Sequence, residues 1–225
     1  PDEDGVPHPI YHLTDPSFDE DPCHEGECVD AQIAGGNQGF VKDFQEHFPR
    51  AGGGKIMGYY NASDLPTYAH LAREFTVCDK WFACVPGQTW PNRLYSLSGK
   101  AADSRNNRRI PIYSNPSFVR HLEKHGVSWR WYLHDFNTLR LCDSRYRLKR
   151  NPHFRWFDEF GSRVARGELD SVTWIDPNFV VTSATNANDD HPPADIRDGQ
   201  RLARQVYEAL RSGPRWERTL LVITY

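Results

Sequence analysis

The sequence predicts an α/β fold, a sandwich of helices around a mostly parallel sheet, and three observations predict it. Residues 127–133 and 172–175 are short runs rich in β-branched and aromatic side chains, which read as strands. Residues 198–212 carry Leu202, Val206, Ala209 and Leu210 at helical spacing on one face. Strand-like and helical segments alternate along the chain, the pattern of parallel strands joined by crossover helices.

Taken in order, residues 1–30 are rich in Pro, Asp, His and Glu without periodicity and read as a loop over the surface. A helix is expected over 39–48, followed by the breaker Gly52-Gly53-Gly54. A second is expected over 65–75, capped by Ser63 or Asp64. Residues 75–85, FTVCDKWFACV, alternate and read as a strand running into the Pro86-Gly87 turn. Trp81 and Phe82, flanking it, are assigned to the core, with contact to a lipid surface as the alternative. Thr89 then stands where a helix begins, with Leu94, Tyr95, Leu97 and Ser98 beyond it. Helices over 116–125 and 155–166 and the strands already named lead to the 198–212 helix, which Asp195 would cap. The aliphatic run Leu220-Leu221-Val222-Ile223-Thr224 reads as a last buried strand. Because the chain opens on Pro1 and stops at Tyr225 directly after that run, it reads as a single domain over 1–225 cut at both ends.

At 225 residues the chain is long enough for one sizeable core. A net charge of −3 provides no global basic field, which argues against a nucleic-acid partner. The basic runs at 105–109 and 145–150 read as solvated surface. The five cysteines fit no zinc-ligand spacing. Cys23 and Cys28 read equally as a disulfide or as two reduced thiols.

A threonine in the first turn of a helix has two readings. It caps the helix through its hydroxyl, or it is a nucleophile placed where helix N-termini attract anions, in need of a base or a metal ion. Asn92 and Arg93 follow within a turn and offer donors suited to phosphate oxygens, or a simple exposed surface. Among ten histidines two have suggestive settings. His24 lies in DEDPCHEGE, and His191 lies in NDDHPPADIRDGQ beside Asp189 and Asp190. The acidic cluster there also suits a divalent cation, while His191 would be incidental if the segment is only a helix entry.

The segments FTVCDKWFACVPGQTWPNRLYSLSG and DDHPPADIRDGQRLARQVYEALRSGPRWERTLLVITY resemble the phosphoesterase family of bacterial phospholipases C, plant non-specific phospholipases C and related acid phosphatases. The resemblance spans most of the chain and rests on long motifs. It implies a three-layer α/β/α sandwich of the alkaline-phosphatase kind and hydrolysis of phosphate esters. It further implies that Thr89, in the family's T-x-P-N-R motif, is nucleophile and metal ligand, with Asn92 and Arg93 completing the motif. The family's D-P-x-H element corresponds to Asp21-Pro22-Cys23-His24 and its D-D-H-P element to Asp189-Asp190-His191-Pro192. Those histidines would stabilise the phosphoryl group or protonate the leaving oxygen, with Asp190 on the substrate side. A third histidine is expected, His134 in preference to His153. The family's E-N-R-S-F-D and D-E-H-G-G segments, which supply most metal ligands, are not in this sequence, so the remaining ligands of the divalent ion are expected outside it.

The function expected on this basis is phospholipase C cleavage of a glycerophospholipid, with a phospholipid or small phosphate ester as partner and peripheral contact with a membrane. The rivals are an acid phosphatase acting on soluble monoesters and a non-catalytic protein that binds phosphate ligands. The family implies an extracellular or periplasmic location.

Overall fold

A computed structural model describes residues 1–102, 104–148, 150–182 and 186–224. The chain begins with β1 (Tyr11–His12), α1 (Gly26–Asn37) and α2 (Phe40–His47). β2 (Gly58–Tyr59) pairs in parallel with β1. There follow α3 (Pro66–Glu74), α4 (Thr89–Ser98), α5 (Val119–Lys124), β3 (Trp129–Leu133) and α6 (Thr138–Cys142). The last part holds β4 (Phe154–Trp156), α7 (Asp158–Ala165), β5 (Val172–Ile175) and α8 (Ile196–Ser212). This is the α/β class read from the sequence.

The organising element is a three-stranded parallel sheet in the order β4-β3-β5. Successive side chains of a strand face opposite ways, so β3 serves two cores. Trp129 and Trp131 pack with Leu94 and Leu97 of α4, Val119 of α5 and Leu139 of α6. Tyr132 packs with Phe160 and Val164 of α7 and Val206 and Leu210 of α8. Trp131 also stacks on Trp174 of β5, ring centroids 4.9 Å apart, a contact worth about 1 kcal/mol beyond its buried area. Helices therefore cover both faces of the central strand.

Several expectations need correction. Residues 75–85 form no strand, and Trp81 and Phe82 are 71% and 75% exposed, so neither belongs to the core. Residues 219–224 form none either, and Leu220 is 87% exposed; Tyr225 lies outside the described residues. Both stretches have the side chains of a strand, but a strand needs a neighbour to take its N–H and C=O groups, and among the described residues neither stretch has one. The first thirty residues are not all loop, since β1 and the start of α1 lie there. The predicted helix over 155–166 begins as β4, which joins the edge of β3. α3 is led by Leu65 with Pro66 in its first turn. Asp64, one expected cap, instead accepts from the Asn61 amide and pairs with His12. By contrast Asp195 caps α8 through the Arg197 amide.

The basic runs are not plain surface. Tyr146 is buried, and Arg147 donates to the Tyr113 carbonyl. Arg105 forms a two-pronged pair with Asp30 at 2.8 Å per contact; Lys149 lies outside the described residues. Cys23 and Cys28 are joined in a disulfide.

Candidate active site

In an open parallel sheet, ligands bind outside the carboxyl ends of the strands, and the sequence-derived site residues gather there. His134 directly follows β3 and Asp176 directly follows β5. Buried Asp176 accepts from the Trp131 indole at 2.6 Å and from the backbone and hydroxyl of Thr138. Arg93 reaches it at 3.8 Å, with its guanidinium against the rings of Trp90 and Phe179. Burial pushes the Asp176 carboxyl above its ordinary value, against the pull of Arg93 and these donors. Trp90 also lies beside Phe136, two residues past His134. The first turn of α4, and Thr89 with it, is thus held at the carboxyl edge.

Thr89 is exposed and is the first residue of α4; Gln88 takes the cap position, with no side-chain cap bond. The Thr89 hydroxyl is therefore not spent on capping. Asn92 accepts from the Val85 amide at 2.9 Å and donates to the carbonyls of Val85, Gly87 and Gln88. Its amide shapes the turn that delivers Thr89.

The segment carrying His191 is tied to the same edge. Asn188 and Asn178, the latter just past β5, exchange hydrogen bonds of 2.9 and 2.6 Å. Asp190, in the left-handed region at φ 59°, accepts from the Tyr68 hydroxyl of α3 at 3.0 Å. It leaves no space at Gly199 of α8, where a Cβ would lie 2.1 Å from Asp190 Oδ1. Burial raises the Asp189 carboxyl, the His191 amide opposes this, and the nearby charge of Asp135 adds to the rise. His24 and His191 meet edge to face with ring centroids 6.0 Å apart. Asp21 stands 3.7 Å from each.

The three histidines share one arrangement. Nδ1 of His24, His134 and His191 lies within 2.9, 2.9 and 2.6 Å of the carbonyls of Pro22, Asp176 and Pro192. A carbonyl only accepts, so in each neutral ring Nδ1 carries the proton and Nε2 is left as the base, that of His191 facing Asp21 at 3.7 Å. His153 has the same local contact, to the Trp129 carbonyl, but precedes β4 and sits at the amino end of the sheet. The structure therefore brings His24, His134, His191, Asp190, Arg93 and the Thr89 turn to one edge and leaves His153 at the other. Asp176, which fixes both Arg93 and His134, had one signal in the sequence, an acid directly after a buried strand.

Two groups of described residues bring three possible metal-binding atoms within 4.8 Å of one another: Asp21, His24 and His191, and Cys23, Cys28 and His47. The disulfide spends both sulfurs of the second. Neither group includes Thr89, so for a divalent ion at Thr89 the fit is incomplete.

The Phosphoesterase family matches residues 7–225 of this chain. The chain belongs to the Phosphoesterase family. It is similar to Non-specific phospholipase C6 of Arabidopsis thaliana, 34% identical over 227 residues, covering 96% of this chain and 44% of that protein. It is 29% identical over 199 residues to Phospholipase C B of Mycobacterium tuberculosis, covering 75% of this chain and 36% of that protein. With Hemolytic phospholipase C of Pseudomonas aeruginosa it shares 26% identity over 220 residues, covering 76% and 29%. The chain spans less than half the length of each of these relatives. Among its described residues no helix is long and apolar enough to cross a membrane.

Proposed function

We propose that the protein is a phospholipase C, cleaving a glycerophospholipid to diacylglycerol and a phosphorylated headgroup, on a fold of the alkaline-phosphatase kind. The observation that carries this is a hydroxyl at a helix start, uncommitted to capping, on the sheet edge where three histidines present Nε2. The Thr89 oxygen attacks phosphorus in line, and its proton passes to a histidine Nε2. The bond from phosphorus to the glycerol oxygen breaks, and a histidinium protonates that oxygen. Arg93, steadied by Asp176 and two aromatic rings, faces the equatorial oxygens, and Asn92 keeps the turn in shape. Water then attacks phosphorus in the phosphothreonine and releases the headgroup phosphate with Thr89 restored. A divalent ion, with Thr89 as one ligand, would lower the charge on the phosphoryl group; every step above is carried by the chain's own residues. The Cys23–Cys28 disulfide suits an oxidising compartment, extracellular or periplasmic.

The test compares wild type with Thr89→Ala on phosphatidylcholine and on p-nitrophenyl phosphate. Loss of at least about 10³-fold in kcat on the lipid supports the reading, and full activity of Thr89→Ala sinks it. Hydrolysis of the monoester alone would make the protein an acid phosphatase.

A further inference from the structure

Two helices that begin at the site start without side-chain caps of their own. Glu25 precedes α1 and Gln88 precedes α4, and neither side chain bonds to the first-turn amides. Those amides are orphan donors that need an acceptor. One short segment supplies both. Asn107 Oδ1 accepts from the Trp90 amide of α4 at 3.0 Å, and Asn106 Oδ1 accepts from the Gly26 amide of α1 at 2.6 Å.

The segment is locked to both partners beyond these two bonds. The Asn107 amide donates to Gln88 Oε1 at 2.5 Å, and the Gln88 amide donates to the Arg105 carbonyl at 2.8 Å. Asn106 Nδ2 donates to Glu27 at 3.2 Å, and Arg105 grips Asp30. Ser104 Oγ holds the segment itself, accepting from the Asn106 amide and donating to its carbonyl. Close approach at Gly87 requires glycine, since a Cβ there would lie 2.1 Å from the Arg105 carbonyl oxygen; at Gly26 a Cβ would lie 2.7 Å from Arg105 Nε and displace that side chain.

Gly87 and Gln88 lead into Thr89, while Gly26 lies two residues past His24. We infer that residues 104–107 are a strap that fixes the Thr89 helix against the His24 loop by capping both helices from outside, with Asn106 and Asn107 as positioning residues of the reaction. The inference rests on the phosphoesterase mechanism above for its catalytic part, while the mechanical coupling stands without it. The strap sets where the Thr89 turn stands against the His24 loop, and a misplacement of about 1 Å between reacting groups costs up to about 10²-fold in rate.

The experiment has two arms on the same variants: Asn106→Ala, Asn107→Ala, their double, and the conservative Asn107→Asp, which keeps the accepting oxygen; aspartate is not used at 106, where it would stand against Glu27. In the first arm, kcat and KM are measured on phosphatidylcholine. Each alanine variant is expected to lower kcat about tenfold with KM little changed. Asn107→Asp restores most of the loss seen in Asn107→Ala, and the double variant falls short of the product of the singles because both act on one spacing. An unchanged kcat in the alanine variants, or Asn107→Asp no better than Asn107→Ala, overturns the positioning role.

In the second arm, amide exchange is followed at Gly26 and Trp90 without substrate. Asn107→Ala is expected to speed exchange at Gly26 as well as Trp90, at least about threefold, and Asn106→Ala to do the converse. Changes confined to each variant's own helix overturn the strap, leaving two unrelated caps. Should wild type hydrolyse no phosphate ester, the functional reading fails and the exchange arm alone decides the coupling.

Discussion

His134 and His153 have nearly the same surroundings at opposite ends of one sheet. Each stacks on an aromatic ring, His134 on Phe157 at 4.4 Å and His153 on Trp129 at 4.3 Å. Each sets Nδ1 against a backbone carbonyl, at 2.9 and 2.8 Å. Local chemistry cannot tell them apart; the direction of the strands does. His134 leaves β3 at its carboxyl end, beside Asp176, Arg93 and the start of α4. His153 packs on Trp129, the first residue of β3, at the end where no site residue gathers. A histidine's role here is set by sheet polarity, and substitution at the two ends should separate accordingly.

The largest difference is expected in turnover. His134→Ala should lower kcat on a phosphate ester by about 10²- to 10⁴-fold, the range for a lost proton-transfer group, with a loss of stability no larger than that of the matching change at His153. Equal kcat in the two variants would break the comparison and return both histidines to structural duty.

Next comes a pair of buried carboxylates. Asp143 packs below α5, accepting from the amide and hydroxyl of Ser117, the Arg145 amide and the Arg120 guanidinium. Burial opposes its charge, yet these donors win and hold it below its ordinary value of 3.8, whereas Asp176 at the carboxyl edge of the sheet is raised. Asp143→Asn should cost about 2–4 kcal/mol in chemical unfolding, less than a fully buried pair because the Arg120 side chain left without its counter-charge is 33% exposed. Asp176→Asn should cost less, about 1–3 kcal/mol, because the amide oxygen still accepts from Trp131 and Thr138.

The same two residues give opposite signs in pH. With a folded-state pKa below the unfolded one, Asp143 stabilises fully above about pH 4, and that contribution is lost as pH falls through the folded value. With a raised pKa, Asp176 contributes fully below about pH 4 and loses that contribution as pH rises through its folded value. Thermal unfolding from pH 3 to 6 should therefore show a shallower acid loss in Asp143→Asn than in wild type. In Asp176→Asn the acid loss should be at least as steep as in wild type. A reversed order would mean that the Arg120 pair does not control Asp143.

What the sequence made legible follows the same division between local and distant causes. β3, β5 and α8 were readable because each carries its pattern within a few residues, and Asp195 capped where a cap was expected. Residues 75–85 and 220–224 misled because alternation in the first and an aliphatic run in the second report side chains suited to burial and are silent on whether a neighbouring strand exists. β4 was missed because three residues, Phe154 to Trp156, are too short for a period. At the site, Thr89, His24, His191 and Arg93 were legible through their motif, and His134 through its strand end. Asn106 and Asn107 were not, because a run of arginines around them looks like solvated surface, while their work is done by side-chain oxygens on the amides of distant helices.

The smallest effect belongs to the amino end and sharpens the comparison most. His153→Ala removes one stacked ring and one hydrogen bond to the Trp129 carbonyl, which should cost about 1–2 kcal/mol of stability. His153→Phe keeps the ring against Trp129 and loses only the bond, so it should recover part of that loss, while kcat stays at the wild-type value in both. At the carboxyl end the same change has the opposite outcome. His134→Phe should keep the stack on Phe157, lose the bond to the Asp176 carbonyl and so recover part of the stability, and still lose turnover as fully as alanine, because no nitrogen remains to carry the proton. A phenylalanine that rescues stability at both ends while turnover is lost only at the carboxyl end would leave the histidines equivalent in packing and divided only by which end of the sheet they occupy.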